Sequence, residues 1–464
     1  MKIEAKHIEA IVKRVLSEAQ TSNNSKPSGY GMFDKMDDAI EAAYIAQKEL
    51  MKLSLAKRGE IIEAIRKDCR ENVELLAKMG HEESGMGRYE DKILKNLLVI
   101  NKTPGIEDLE CDAVAGDDGL TLYEYAPFGV IGSITPVTNP SETIINNSIG
   151  MIAAGNAVVF SPHPGATKTS RKTIEIINNA IMSVGGPENL ITSVIKPSLE
   201  NTQIMMKHEK IDMLVATGGP GVVNAVMTSG KKAIGAGAGN PPALVDETAD
   251  IEKAAKDIIA GHSFDNNLPC TAEKAVVVVE QVADYLIFNM KKHNVYVMED
   301  PELIEKLKNL VITEKGGPNR EFIGKNANYI LKHLGLEFGD DLRSIVVEVD
   351  KDHPFVLVEK MMPILPVVRV KDVDEGIELA VKIEGGNRHT ATMHSKNVDN
   401  LTRFAREVQT TIFVKNGPSF AGLGYGGEGY TSFTLAGPTG EGLTTARTFS
   451  RKRKCVLVGG FSIK

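Results

Sequence analysis

Between residues 130 and 234 the chain repeats one pattern: a short, predominantly apolar run, then a stretch with a helical period. The apolar runs are 130–134, 157–160, 190–194, 213–216 and 233–234, and the helical stretches are 141–154, 167–184, 199–208 and 222–229. Apolar runs this short, with few polar residues between, suit strands covered on both faces. Strands of that kind occur in parallel sheets, whose successive members need a crossover, usually a helix. The pattern therefore predicts a parallel α/β sheet. A second series of the same kind (275–279, 282–293, 345–349, 366–370, 373–383, 390–394 and 412–414) predicts a second α/β unit. Ligands of open parallel sheets bind beyond the carboxyl ends of the strands. Residues that follow the apolar runs are thus the first candidates for chemistry.

Other segments lie outside these series. Ile8, Ile11, Val12, Val15, Leu16 and Ala19 recur on one helical face, with Lys6, Glu9, Lys13, Arg14 and Glu18 opposite, which predicts an amphipathic helix over 1–20. Residues 21–31 (TSNNSKPSGYG) have the composition of a flexible linker. A short amphipathic helix on a tether docks either on a partner or on its own domain, and the mixed sign of its polar face disfavours a membrane surface. Residues 33–98 read as helical, 119–125 (GLTLYEY) alternate as an exposed or edge strand does, and 447–458 read as a strand that pairs outside its own domain.

The chain has 464 residues, enough for about three domains, and a formal net charge of −7. The acid excess argues against nucleic acid as a partner. The one basic run, Arg451 to Lys454, is short and reads as a solvated strand or loop. No run of ~18 apolar residues predicts a membrane span, and the charged N-terminus lacks the apolar block of a secretory signal. The cysteines Cys69, Cys111, Cys270 and Cys455 form no CxxC pair. Neither a metal site nor a disulfide framework is expected, and a cytoplasmic location is.

Three motifs carry chemistry. In Asn266-Asn267-Leu268-Pro269-Cys270-Thr271 the cysteine follows a proline at the entrance to the second series, on a turn among small polar neighbours. A thiolate is the softest nucleophile available to a protein near neutral pH. Cys69 in a helix and Cys111 in an acidic loop suit packing roles. In Thr135-Pro136-Val137-Thr138-Asn139-Pro140, between a strand and a helix, Asn139 suits either an oxyanion donor or a helix cap. In Ala216-Thr217-Gly218-Gly219-Pro220-Gly221, glycines between strand and helix allow backbone N–H groups to approach a phosphate. The formal GxGxxG at Gly422, Gly424 and Gly427 lacks a strand–turn–helix context and reads as a decoy.

Together these segments resemble the aldehyde dehydrogenase superfamily, and within it the coenzyme-A-acylating branch found in bacterial microcompartments. The resemblance runs from about Phe33 to the C-terminus, over PFGVIGSITPVTNPSETIINN, AAGNAVVFSPHPGA, ATGGPG, KKAIGAGAGNPPALVDETADI, SFDNNLPCTAEK, EKMMPILPVV and FVKNGPSFAGLG. It implies two Rossmann-type parallel-sheet domains plus a small β oligomerisation arm. The boundaries are then 32–105 with 128–240 for the dinucleotide-binding domain, 241–445 for the catalytic domain, and 106–127 with 446–464 for the arm. The tethered helix 1–20 fits the short helices that direct such enzymes to a shell protein, which implies a microcompartment lumen. At least a homodimer is implied by the arm.

The resemblance also implies roles. Cys270 matches the family nucleophile, and Asn139 matches the oxyanion donor, with the Cys270 backbone N–H as second donor. Thr135, Pro136, Ser161, Pro162, His163, Thr217, Gly218, Gly219, Gly235 and Glu359 are the implied dinucleotide contacts. Ser161 stands where hydrolytic relatives carry a lysine near the adenosine ribose, which leaves NAD and NADP both open. Gly235 stands where hydrolytic relatives carry the glutamate that activates water. Coenzyme A, whose thiol needs less help than water, is then the implied acyl acceptor. The expected reaction converts a short-chain aldehyde, with propionaldehyde favoured over acetaldehyde, to its acyl-CoA.

Overall fold

The computed structural model describes residues 31–463. The predicted helix at 1–20 and all but the last residue of the predicted linker lie outside them.

The first sheet has six parallel strands, in spatial order Met32–Phe33, Ile191–Val194, Ala157–Pro162, Val130–Thr135, Met213–Thr217 and Lys232–Ala236. Helices Pro140–Ala153, Thr167–Ser183, Leu199–Lys207 and Pro220–Met227 make the crossovers that the alternation predicts. The chain builds outward from Val130–Thr135 on one side, then returns to add Met213–Thr217 on the other. The strand order therefore reverses beside Val130–Thr135, and a crevice opens beyond the carboxyl ends at such a reversal. The helix Pro140–Ala153 is buried at every residue, packed between this sheet and helices Leu55–Glu71 and Tyr89–Lys102.

The second sheet has seven parallel strands, in the order Val295–Met298, Ser344–Glu348, Ile364–Val370, Ala275–Val279, Pro242–Val245, Thr390–His394 and Ile412–Lys415. Pro242–Val245 and Val295–Met298 were not among the predicted strands. The first has only four residues and follows Pro241, too short for a periodic signal. It nevertheless lies inside the sheet, paired with Ala275–Val279 and Thr390–His394.

Strands Asp112–Gly116, Gly119–Pro127 and Ser450–Val458 form a separate antiparallel sheet. The last two pair continuously from Ser450 opposite Pro127 to Val458 opposite Gly119. The basic run lies on this exposed strand, where Lys452 Nζ meets Asp112 Oδ2 at 3.0 Å. Among the described residues no helix is long and apolar enough to cross a membrane, and no cluster of side chains could hold a metal ion.

Asn156 joins the first sheet to the arm. Its side chain is wholly buried; Oδ1 accepts from the Phe128 and Gly129 backbone N–H groups at 2.8 and 3.0 Å. Its Nδ2 donates to the Met151 and Phe449 carbonyls at 3.2 and 2.8 Å. Asn156→Ala strands the Phe128 and Gly129 N–H groups and the Phe449 carbonyl, while the Met151 carbonyl keeps the residue-156 N–H. Each unsatisfied buried group costs about 1–3 kcal/mol, so a loss of about 3 kcal/mol or more is expected, read as a lowered denaturant midpoint. A midpoint equal to that of the unaltered protein would show that water replaces the side chain at no cost.

Candidate active site

Cys270 sits on a turn that the preceding residues hold in an unusual conformation. Asp265, Asn266 and Asn267 have φ of 47°, 55° and 66°, three consecutive left-handed residues without a glycine among them. Asp and Asn adopt this region more readily than other side chains, but at a cost that neighbours must offset. Each of the three is tied down. Asp265 Oδ1 accepts from the Arg88 N–H at 2.8 Å, and its own N–H donates to Asp91 Oδ2 at 2.9 Å. Asn266 receives Arg88 Nε at 2.9 Å and donates to the Gly324 carbonyl and to Asn326 Oδ1 at 2.9 and 2.7 Å. Asn267 donates to the His262 and Glu273 carbonyls at 2.8 and 3.0 Å. Lys274 Nζ then donates to Asn267 O, Asn267 Oδ1 and Pro269 O at 2.8, 2.7 and 3.2 Å. The Asp-Asn-Asn sequence before the cysteine is thus a mould for its turn.

The electrostatics around the thiol are mixed. Burial and then the Glu359 carboxylate push the Cys270 thiol up to about 12, while Lys274 and Lys95 pull it down. Glu359 is itself held above the usual carboxylate range by burial, against the pull of Lys274. Its Oε1 accepts weakly from the Gly239 N–H at 3.4 Å. Burial lowers Lys274 to about 8. By contrast, Cys69 is fully buried in its helix and Cys111 and Cys455 are exposed, with no such surroundings.

Asn139 lies immediately before helix Pro140–Ala153, yet its side chain makes no capping bond. Of the two roles open to it in the sequence, the cap is therefore excluded. Its Oδ1 accepts instead from Lys95 Nζ at 2.6 Å, and Nδ2 has only a long contact, 3.3 Å, to Thr138 Oγ1.

Other predicted residues gather along the carboxyl edge of the first sheet. Thr135 is in register with Pro162, and Ala216 and Thr217 with Gly235 and Ala236. Pro136, half-buried, follows directly after Thr135. Ser161 Oγ bonds Thr202 Oγ1 at 2.7 Å, Thr217 Oγ1 bonds Thr434 Oγ1 at 2.9 Å, and exposed His163 accepts from the Gly165 N–H at 3.0 Å. Gly218 continues into Gly219, which starts helix Pro220–Met227. The Thr135 hydroxyl is buried without a partner, and side chains added at Gly219 or Gly221 would meet nothing within 4 Å. An orphaned hydroxyl beside an open glycine turn at a helix start fits a pyrophosphate-bearing dinucleotide. Gly235 faces elsewhere: a Cβ there would lie 2.8 Å from Val223 Cγ1 and 3.4 Å from Met227 Sδ, against the helix Pro220–Met227. The glycines 422, 424 and 427 belong to a short 3-10 helix, Ser419–Leu423, and the turn after it, with no strand–turn–helix context.

Two features escaped the sequence reading. His389 is buried close to the Cys270 carbonyl. A Cβ on Gly239 would come within 2.7 Å of its ring and 3.0 Å of the Cys270 carbonyl, so this close approach requires glycine. Burial lowers His389 to about 4, its Nδ1 lies 3.0 Å from Thr390 Oγ1, and its Nε2 has no partner. The only sequence signal for it is a histidine at the start of an apolar run. The second feature is an apolar cavity of about 20 Å³ next to Pro269 and Thr271, walled by Leu98, Phe264, Phe420, Leu423 and Phe433.

The chain is similar to known proteins over nearly its whole length. Residues 27–303 match the model of the aldehyde dehydrogenase family. A propanal dehydrogenase (CoA-propanoylating) of Salmonella typhimurium is 49% identical over 461 residues, which cover 98% of this chain and 99% of that protein. A solved Rhodopseudomonas palustris propionaldehyde dehydrogenase with bound CoA and an acylated cysteine is 56% identical. It covers 94% of this chain and 99% of its own, with a TM-score of 0.92. A propionaldehyde dehydrogenase from the fucose utilisation bacterial microcompartment of Clostridium phytofermentans is 54% identical. It covers 94% of this chain and 100% of its own, again with a TM-score of 0.92.

Because the Glu359 carboxylate raises the thiol, Glu359→Gln lowers the Cys270 pKa and enlarges its thiolate fraction at any pH below that value. Alkylation by iodoacetamide, followed by mass on the Cys270 peptide, is expected to climb with pH between 7 and 10 in both proteins. The variant should be faster throughout, by about tenfold for each unit of lowered pKa. Equal rates at every pH would show that Glu359 does not act on the thiol.

Proposed function

The chain belongs to the aldehyde dehydrogenase family, and from that premise we propose that it is a CoA-acylating, NAD(P)-dependent dehydrogenase of short-chain aldehydes, with propionaldehyde favoured. One observation carries the choice of acyl acceptor. At position 235 the chain has glycine, and the space that a longer side chain would enter is filled by Val223 and Met227. A carboxylate base for water would stand there only if the Val223 and Met227 side chains gave way, and water without a base attacks a thioester slowly.

In this reading Cys270 attacks the aldehyde carbonyl. Asn139 Nδ2 and the Cys270 backbone N–H hold the resulting oxyanion, each donor contributing about 10²–10³ in rate. Bound along the carboxyl edge of the first sheet, the oxidised dinucleotide supplies the hydride acceptor. Thr135, Pro136, Ser161, Pro162, His163, Thr217, Gly218, Gly219 and Glu359 are the residues that would hold it, whereas Gly235 faces helix Pro220–Met227. The acyl group then stands as a thioester on Cys270. Coenzyme A displaces it, and the sulfur of Cys270 leaves as thiolate. The proton of the entering thiol ends on the departing Cys270 sulfur, a far stronger base than His389.

The same proposal assigns 32–105 with 128–240 to dinucleotide binding, 241–445 to catalysis, and 106–127 with 446–464 to a homo-oligomer arm. That arm's outer strand exposes Val456, Leu457 and Val458, which supports its burial in an assembly. Residues 1–20 dock on a shell protein and place the enzyme in a microcompartment lumen within the cytoplasm. Support comes from the apolar stripe of that segment and from the microcompartment origin of the Clostridium relative.

NADH absorbance with propionaldehyde is expected to rise steadily only when coenzyme A is present, and Cys270→Ala should abolish it. Rapid sustained turnover without a thiol would overturn the acylating assignment. Values of kcat/KM for acetaldehyde, propionaldehyde and butyraldehyde should peak at three carbons, with neighbouring lengths lower by about 10-fold or more, because one methylene discriminates by ~1–3 kcal/mol. Deleting residues 1–20 should abolish co-sedimentation with shells while leaving soluble turnover within about twofold. A large loss of turnover would mean instead that the segment packs on its own domain.

A further inference from the structure

Helix Tyr89–Lys102 carries two lysines that the reaction described above does not use, Lys92 and Lys95, both almost wholly buried. Lys95 is the more informative. Its ammonium lies 2.6 Å from Asn139 Oδ1, 2.6 Å from Asp265 Oδ2, 3.3 Å from Glu142 Oε1 and 3.5 Å from the Thr138 carbonyl. An ammonium only donates, so the atom of Asn139 that faces it must be the carbonyl oxygen. Turning the amide over would set its NH₂ against three N–H donors in a site closed to water. The amide end left over, Nδ2, is the end with no short partner. The same nitrogen also grips Asp265, five positions before Cys270 and part of the mould that shapes its turn.

We propose that Lys95 is a positioning residue: it fixes the Asn139 amide with Nδ2 toward the reacting carbonyl and, through Asp265, holds that donor in register with the Cys270 turn. This rests on Asn139 acting as the oxyanion donor. Lys95 itself forms no bond to the reacting atoms. The effect is one of preorganisation, in which the donor is aimed before charge develops and no reorientation is needed when it does.

The test separates a step that develops an oxyanion from one that does not. Hydride transfer is read as the pre-steady-state rise of NADH from full-length enzyme, saturating NAD and propionaldehyde. Alkylation of Cys270 by iodoacetamide is a displacement at saturated carbon and makes no oxyanion. Lys95→Met is expected to slow alkylation only as far as the loss of one cation raises the thiol pKa, and to slow hydride transfer about 30-fold or more beyond that. In an Asn139→Ala background, already slowed about 10²-fold or more, the same change should add less than about threefold beyond its effect on alkylation. Equal slowing of both reactions by Lys95→Met would overturn the proposal, as would full multiplication of the two effects on hydride transfer. If Lys95→Met alone does not fold, Lys95→Met with Glu142→Gln removes one buried charge of each sign. The same pattern is expected of it, and an unaltered hydride rate in that pair also overturns the proposal. Hydride transfer at full rate in Asn139→Ala with Lys95 intact would instead remove the oxyanion reading on which the proposal stands.

Discussion

The structure turns on one buried carboxylate. Asp265 is fully shielded from water, where an isolated charge would cost several kcal/mol. It persists as an anion because Lys92 and Lys95 reach it at 3.2 and 2.6 Å and the Arg88 N–H bonds it at 2.8 Å. Burial alone would raise its pKa, but the two lysines outweigh burial and hold it below the usual carboxylate range. Lys95 is the mirror case: burial would lower it, and Asp265 and Glu142 more than restore it. All of these partners come from the first α/β unit, whereas Asp265 opens the turn that delivers Cys270. Removing any one member would leave a charge with nowhere to go, so the group acts as a clamp between the two halves of the site.

That clamp explains how Cys270 can follow three left-handed residues in succession. A loop free to relax would leave so unfavourable a backbone. Here the side chains that favour it, Asp and Asn, are also those that the neighbours bind. Strain and its compensation lie in the same residues. The cost to the thiol is burial, which raises its pKa. The cations nearest to the thiol, Lys274 and Lys95, only partly offset that burial.

How much of this could be read from the sequence follows from the range of each signal. Parallel strands such as Val130–Thr135 and Ala275–Val279 announce themselves by apolar runs, because both faces are covered. Pro242–Val245 does not, since four residues behind a proline carry no period, and only the neighbours that flank it define it as a strand. The Pro-Cys turn and the glycine turn before helix Pro220–Met227 are local and were legible. The orientation of Asn139 was not, because its two readings differ only in what its oxygen meets, and that partner, Lys95, is 44 residues away. Lys92 and Lys95 were equally hidden. Lysines three apart on a helix ordinarily mark a wet face, and only tertiary packing makes this one dry. His389 likewise gains its meaning from Gly239, on a distant segment of the chain.

The arm has a consequence for how the molecule is made. Its outer strand includes Arg451, which bonds Pro127 across 324 positions of chain. At a synthesis rate of roughly 5–20 residues per second, the edge of Gly119–Pro127 stays open on the ribosome for on the order of half a minute. Asn156 waits equally long for the Phe449 carbonyl. An unpaired strand edge is a template for pairing with other chains. Neighbouring ribosomes on one message carry the same edge in the same state. The nascent protein thus carries this edge open until its last residues emerge, and its final strand, Ser450–Val458, is what covers it.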